Sequence, residues 1–134
     1  MNEDSATHNR DLGLWGEQQA ERHLKSAGFK ILGRRVRPDE RDEIDLVARD
    51  GEVLVFVEVK TRPSERFGRP GDAVDRRKRH VLSRAAVRYI RKLRNPNVFY
   101  RFDIVEVIGA ADAGAPVVRH IRNAFNLDRQ YHLP

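Results

Sequence analysis

The chain has 134 residues, with 26 basic against 20 acidic side chains, a formal net charge of +6 and a sequence pI near 10.2. That length fits one domain with one core, and the absence of cysteine excludes disulfides and thiolate metal sites. The positive charge favours polyanionic partners such as nucleic acid, although a bias of 21 arginines to five lysines makes codon usage an equal account of it.

Residues 1–10 are polar and are expected to form a flexible N-terminal segment, ahead of a single domain at 11–126 and a tail at 127–134. Met1 to Asp11 contains no apolar run, and no segment approaches the roughly 20 apolar residues needed to cross a bilayer. No membrane partner and a cytoplasmic location are the default expectation. From Asp11 the apolar residues Leu12, Trp15, Ala20, Leu24 and Ala27 recur on one helical face, with Gly28 as the stop. Phe29 to Val36 reads as a weak strand.

Glu43 to Arg49 and Glu52 to Arg62 are strand-like runs joined by Asp50-Gly51, a favoured two-residue hairpin turn. Thr61 to Gly71, with two prolines and two glycines among Arg62, Arg66 and Arg69, marks a long polar loop. Asp72 is placed to cap a second helix, with Asp75 in its first turn and Val74, Val81, Leu82, Ala85, Tyr89, Ile90 and Leu93 as its apolar stripe. That helix runs to about Arg94. Asn95-Pro96-Asn97 ends it, Val98 to Ile108 is a third good strand, and a last strand lies near Val117 to Phe125.

With Asp50-Gly51 as the turn, Arg49 faces Glu52, Asp45 falls opposite Phe56, and Glu43 opposite Glu58. One hairpin face then carries Asp45, Phe56, Glu58 and Lys60; Ile44, Leu46, Ala48, Val53, Val55, Val57 and Val59 populate the other, the apolar face that the second helix is expected to cover. Two carboxylates become diagonal neighbours able to share a hard cation, with an ammonium two residues further on. Mg²⁺ suits such a pair, since it prefers oxygen ligands and keeps waters or phosphate oxygens beside one or two carboxylates. A lysine beside it can orient or deprotonate an attacking water and offset growing negative charge, which is the chemistry of phosphodiester hydrolysis. Taken alone, an acid-x-lysine triplet on an edge strand is an ordinary solvated face with a weak salt bridge.

Glu43-Ile44-Asp45-Leu46-Val47, then Val55 to Arg62, then Phe67-Gly68, Pro70, Ala73-Val74 and Lys78, and finally Arg101-Phe102-Asp103, resemble the YraN family of uncharacterised bacterial proteins over roughly Gly16 to Val107. That family resembles Holliday-junction resolvases and PD-(D/E)xK nucleases. The resemblance implies an α/β restriction-endonuclease-like fold, a mixed central sheet flanked by helices. It implies Asp45 and Glu58 as metal-binding acids, Val59 as a further metal ligand and Lys60 as the signature lysine. Glu17 matches an acid that often completes such sites, or is simply a first-turn acid stabilising the helix dipole. The sequence departs from the family at Asp42, where glycine is usual, and in Gly33-Arg34-Arg35-Val36-Arg37, which lacks an asparagine often found there.

The expected activity is Mg²⁺-dependent DNA endonuclease hydrolysis, with Mn²⁺ an acceptable substitute. Branched DNA and a homodimer are left open, because resolvases act as dimers on four-way junctions. Arg62, Arg66, Arg69, Arg76, Arg77, Lys78 and Arg79 are the expected phosphate contacts; a solvated helix face is the plainer account of the run at 76–79. The rival reading is a DNA-binding module that keeps the fold without cleaving. An RNA-directed protein is a weaker third, for want of an aromatic stacking platform.

Overall fold

The computed structural model describes residues 3–64, 76–94 and 97–128. The elements in chain order are α1 (Glu3–Ser26), β1 (Lys30–Val36), β2 (Ile44–Asp50), β3 (Val53–Arg62), α2 (Arg76–Arg91), β4 (Phe99–Ile108) and β5 (Val117–Phe125). They form one five-stranded sheet in the order β1-β2-β3-β4-β5. Only β3 and β4 run parallel, the other neighbours being antiparallel. Parallel neighbours need a long crossover, and α2 lies in it. The result is α/β with a mixed sheet and two helices, consistent with a restriction-endonuclease-like fold. Among the described residues no helix is long and apolar enough to cross a membrane.

The helix expected from Asp11 begins at Glu3. Its end is where Gly28 predicts: Gly28 takes φ 91°, the Gly28 N–H reaches the Lys25 carbonyl at 3.0 Å and the Phe29 N–H the Leu24 carbonyl at 2.9 Å. This pair of bonds closes the orphan carbonyls of the last turn. The expected N-terminal residues of the second helix, Asp72, Val74 and Asp75, lie outside the described residues.

Both faces of the sheet are buried. Leu46, Ala48, Val55, Val57, Val105 and Val107 pack with Ala20 and Leu24 of α1. Leu54, Phe56, Phe102, Ile104 and Phe125 pack with Leu82, Ala85, Ala86 and Ile90 of α2. On the α2 side the rings form a continuous set, Phe56 lying 5.5 Å from Tyr89 and 5.8 Å from Phe102, and Phe102 stacking on Phe125 at 4.7 Å. The sequence pairs helix two with the all-aliphatic hairpin face; the structure gives that face to α1 and places α2 on the face of Phe56 and Glu58. Alternation along a strand defines two faces but carries no information about which helix covers each. Ile44 also joins the α2 side rather than that of Leu46 and Ala48.

Arg101-Phe102-Asp103 serves the fold. Asp103 is fully buried and accepts from Arg101 Nε at 2.9 Å, from the Asn123 N–H at 3.0 Å and from His120 Nε2, the last two atoms being 2.8 Å apart. Burial alone would raise its pKa, and the bonds from His120, Arg101 and Asn123 outweigh that and lower it. Asn123 sits at φ 51° where the β4–β5 register shifts. Asp103 therefore ties a strand irregularity to the sheet, and the sequence holds no local sign of this because the bulge that creates the partners is a tertiary feature.

Candidate active site

The hairpin turn is centred on Gly51 and Glu52, with Asp50 paired to Val53. Gly51 has φ 60° and Glu52 is not left-handed, the pattern of a turn that wants glycine at its first central position only. The sequence instead expects Asp50-Gly51. Sliding a two-residue turn by one position changes the pairing by two, so every side chain keeps its face while its partner changes. The ladder runs from Asp50↔Val53 to Leu46↔Val57. One step further, Asp45 stands opposite Glu58 rather than Phe56, and the two carboxylates are direct instead of diagonal neighbours.

Here the strands part, and the Asp45 side chain enters the gap. Its Oδ2 accepts the Val59 main-chain N–H at 2.8 Å, in place of a ladder bond. Burial, then the Glu58 charge, raises the Asp45 pKa from 3.8 to about 8; the Val59 bond opposes this, and Glu17 and a hydrogen bond with Glu58 add to it. Two carboxylates this close cannot both stay ionised without a compensating cation.

Glu58 is buried, and Lys78 Nζ of α2 lies 2.6 Å from its Oε1. Glu17 of α1 accepts from Arg35 Nε at 2.9 Å. Glu17, Asp45, Glu58, Val59, Lys60 and Lys78 line one pocket of about 360 Å³, with Leu12, Gly13 and Thr61 completing it. Lys60 makes no ion pair or hydrogen bond with the described residues, and its ammonium is the uncommitted charge in that lining. The expected set Asp45, Glu58, Val59, Lys60 and Glu17 is thus brought together by three elements. Glycine makes the α1 contribution possible: a Cβ on Gly16 would lie 1.9 Å from Thr61 Oγ1 and 2.9 Å from Thr61 Cβ.

The expected phosphate contacts divide. Arg76, Arg77 and Arg79 are exposed, Arg79 lying 5.7 Å over the Phe125 ring. Lys78 is turned to Glu58. Arg62 is buried, at 8 % exposure, on the last position of β3, and its carbonyl accepts the Gly109 N–H at 2.9 Å. Arg66 and Arg69 lie outside the described residues.

Sequence reasoning missed the partners of the second-helix charges. Arg84 forms a two-pronged pair with buried Asp42, both bonds 2.7 Å, Arg88 meets Asp39 at 2.8 Å, and Lys92 donates to the Pro38 carbonyl. Asp42, the departure from the family's usual glycine, is therefore used as an anchor for α2. The spacing of 84, 88 and 92 by four was a legible stripe; its acidic counterpart in the 38–42 connection was not. Arg35 was also missed. It is left-handed, at φ 47°, a conformation asparagine adopts more readily than arginine, and it lies in the segment that lacks the family's asparagine.

The pocket's acidic donors are all oxygens, with no cysteine in the chain and no histidine in the lining. Among the described residues no group of three or more His, Cys, Asp or Glu is placed to hold a metal ion, so the carboxylates available to one ion here are the pair Asp45 and Glu58. A hard divalent ion that keeps waters and uses few carboxylates fits this donor set better than zinc does.

Residues 16–107 match the model of the uncharacterised protein family UPF0102. The chain is 46 % identical over 118 residues to UPF0102 protein STH1475 of Symbiobacterium thermophilum, covering 88 % of this chain and 98 % of that one. It is 43 % identical over 119 residues to a UPF0102 protein of Syntrophomonas wolfei, covering 87 % and 99 %, and 46 % identical over 112 residues to one of Beutenbergia cavernae, covering 83 % and 92 %.

Proposed function

The chain belongs to the uncharacterised UPF0102 family, and from the geometry of its pocket we propose that it is a divalent-metal-dependent DNA endonuclease. The observation that carries this reading is the opposition of Asp45 and Glu58 at the point where β2 and β3 separate, inside an oxygen-lined pocket that also holds Lys60. A raised acid pKa with a stated charge partner in a cleft is a common mark of a working site. Asp45 and Glu58 would hold the ion, Mg²⁺ with Mn²⁺ as substitute. Val59 would add its carbonyl, since N–H and C=O of one strand residue project to the same edge and its N–H already meets Asp45. When bound, the ion supplies Lewis-acid stabilisation for phosphodiester hydrolysis.

Lys60 orients the attacking water and offsets charge on the phosphate, being a compact ammonium with no other partner among the described residues. Arg76, Arg77 and Arg79 hold the DNA backbone beside the pocket, and the substrate is DNA, with branched forms included, in the cytoplasm; a homodimer is the assembly for a four-way substrate. The rival, a module that binds DNA without cutting, draws on one observation: Lys78 and Arg35 already compensate Glu58 and Glu17 without any ion.

The test incubates linear, single-stranded, flapped and four-way DNA with the protein in Mg²⁺, Mn²⁺ or EDTA. Cleavage is expected with either metal and none in EDTA. Asp45→Asn and Glu58→Gln are each expected to abolish it, with circular dichroism unchanged and DNA affinity equal or higher. Wild-type-level cleavage by either pure variant discards the site; tight binding with no cleavage of any substrate establishes the module instead.

A further inference from the structure

We infer that Arg35, by holding Glu17 from outside the carboxylate pocket, takes the carboxylate a second cation would need, so that the pocket takes one divalent ion rather than two; this rests on the metal-site reading above. In the β1–β2 ladder, Arg34↔Leu46 and Val36↔Ile44 bracket Arg35 opposite Asp45, and the β2–β3 register carried one step past its last pair, Leu46↔Val57, brings Asp45 to Glu58. A base and two acids therefore stand side by side across three strands. The register shift between Ile31 and Gly33 decides this. Without it Arg34 would face Asp45, and Arg34 instead pairs with Glu21 of α1.

Glu17 is the wall between two cavities. It lines the carboxylate pocket with Asp45 and Glu58, and also an adjoining cavity of about 580 Å³ between α1 and β1 that Arg35 lines. Arg35 reaches Glu17 from that far side and donates from Nε to Oε2 at 2.9 Å. The contact is held by an unfavourable backbone, φ 47° at a long side chain, which persists only where surrounding interactions outweigh it. Asp45 and Glu43 also attract the Arg35 guanidinium.

Formal charge leads to the same count. Asp45, Glu58 and Glu17 carry three negative charges; Lys78 on Glu58, Arg35 on Glu17 and Lys60 in the lining carry three positive ones. One divalent ion leaves a charge of plus two, which a phosphodiester and a hydroxide nucleophile bring to zero. A second ion would leave plus four, and the carboxylate it would need is already taken.

The test counts Mn²⁺ bound to the full chain without DNA, by calorimetry and by electron paramagnetic resonance of the free ion. Wild type is expected to bind one ion per chain. Arg35→Asn, which removes the charge and tolerates the left-handed backbone, is expected to bind two, a twofold rise. Arg35→Lys keeps a cation and should return the count to one, as should Glu17→Gln added to Arg35→Asn. If Arg35→Asn fails to give a native circular dichroism spectrum, Arg35→Gln replaces it. Two ions on wild type, or one on a folded neutral variant, overturn the inference while leaving a metal site. No ion on wild type or variant overturns the metal-site reading itself.

Discussion

Burial and the neighbouring Glu58 carboxylate push the Asp45 pKa up to about 8, against 3.8 for the free group, and the Val59 N–H only partly opposes them. The native state then binds more protons than the unfolded chain between those two values, so stability falls as pH rises through that window. It is fully present below about pH 4 and lost by about pH 8. Asparagine has the shape of aspartate, can still accept the Val59 bond, and can donate to Glu58 where the shared proton was. Calorimetry in EDTA is expected to show the wild-type midpoint declining from pH 5 to 8, with Asp45→Asn flatter and several degrees higher at pH 8. Each tenfold weakening of the acid is worth about 1.4 kcal/mol, enough to be seen as a shift of the midpoint. An Asp45→Asn protein that is less stable than wild type at pH 8, with the same pH slope, would mean the carboxylate is not destabilised in the fold. That Asp45 and Glu58 would be neighbours was legible from strand parity; that Arg35 meets Glu17 was not, since it depends on a register shift and one left-handed residue in β1.

The element that sets Glu17 against the sheet is α1, and its two interior glycines have opposite surroundings. Nothing lies within 4 Å of a Cβ placed on Gly13, whereas one on Gly16 meets the Thr61 side chain at 1.9 Å and its Cβ at 2.9 Å. Rotating Thr61 relieves the first of these contacts but not the second, so α1 or β3 must move. Alanine inside a helix gains up to about 1 kcal/mol over glycine where its methyl meets no clash, while overpacking costs about 1–3 kcal/mol. Gly13→Ala should therefore raise the thermal midpoint by a few degrees. Gly16→Ala should lower it and, by displacing Glu17, disturb the pocket. Equal midpoints for the two variants would remove the close α1–β3 approach from the account of the site. Elements were the level at which sequence served best: β5 lies at Val117–Phe125 as expected, and Gly28 stops α1. Register and helix placement escaped it for separate reasons. The Asp50-Gly51 dipeptide fits a turn with two left-handed residues, but the chain uses Gly51 alone, and helix two has an apolar stripe that suits either sheet face.

For the molecule as a whole, a net charge of +6 says less than where the charges point. On α2, Lys78, Arg84 and Arg88 are paired with Glu58, Asp42 and Asp39, and Lys92, just past its end, donates to the Pro38 carbonyl. Arg76, Arg77 and Arg79 are exposed without ion pairs to the described residues, and Arg77 borders a cavity shared with Glu43 and Glu58. If DNA is the substrate, as proposed, these three are the charges on α2 free to meet its phosphates, each able to release about 0.9 counterion per phosphate neutralised. Replacing all three by alanine is expected to flatten the plot of log affinity against log salt by up to about 2.7, uniformly across DNA sequences, with little change in thermal midpoint. Arg88→Ala is the matched control. It removes one arginine from the same helix, but that arginine is held by Asp39, so the slope should stay and the midpoint should fall. Fluorescence anisotropy over a salt series, with a thermal scan of each variant, separates the two outcomes. An unchanged slope in the triple variant would make 76–79 a solvated helix face, and a slope change in Arg88→Ala as large as one third of the triple's would mean that DNA contact follows net charge rather than the outward face of α2.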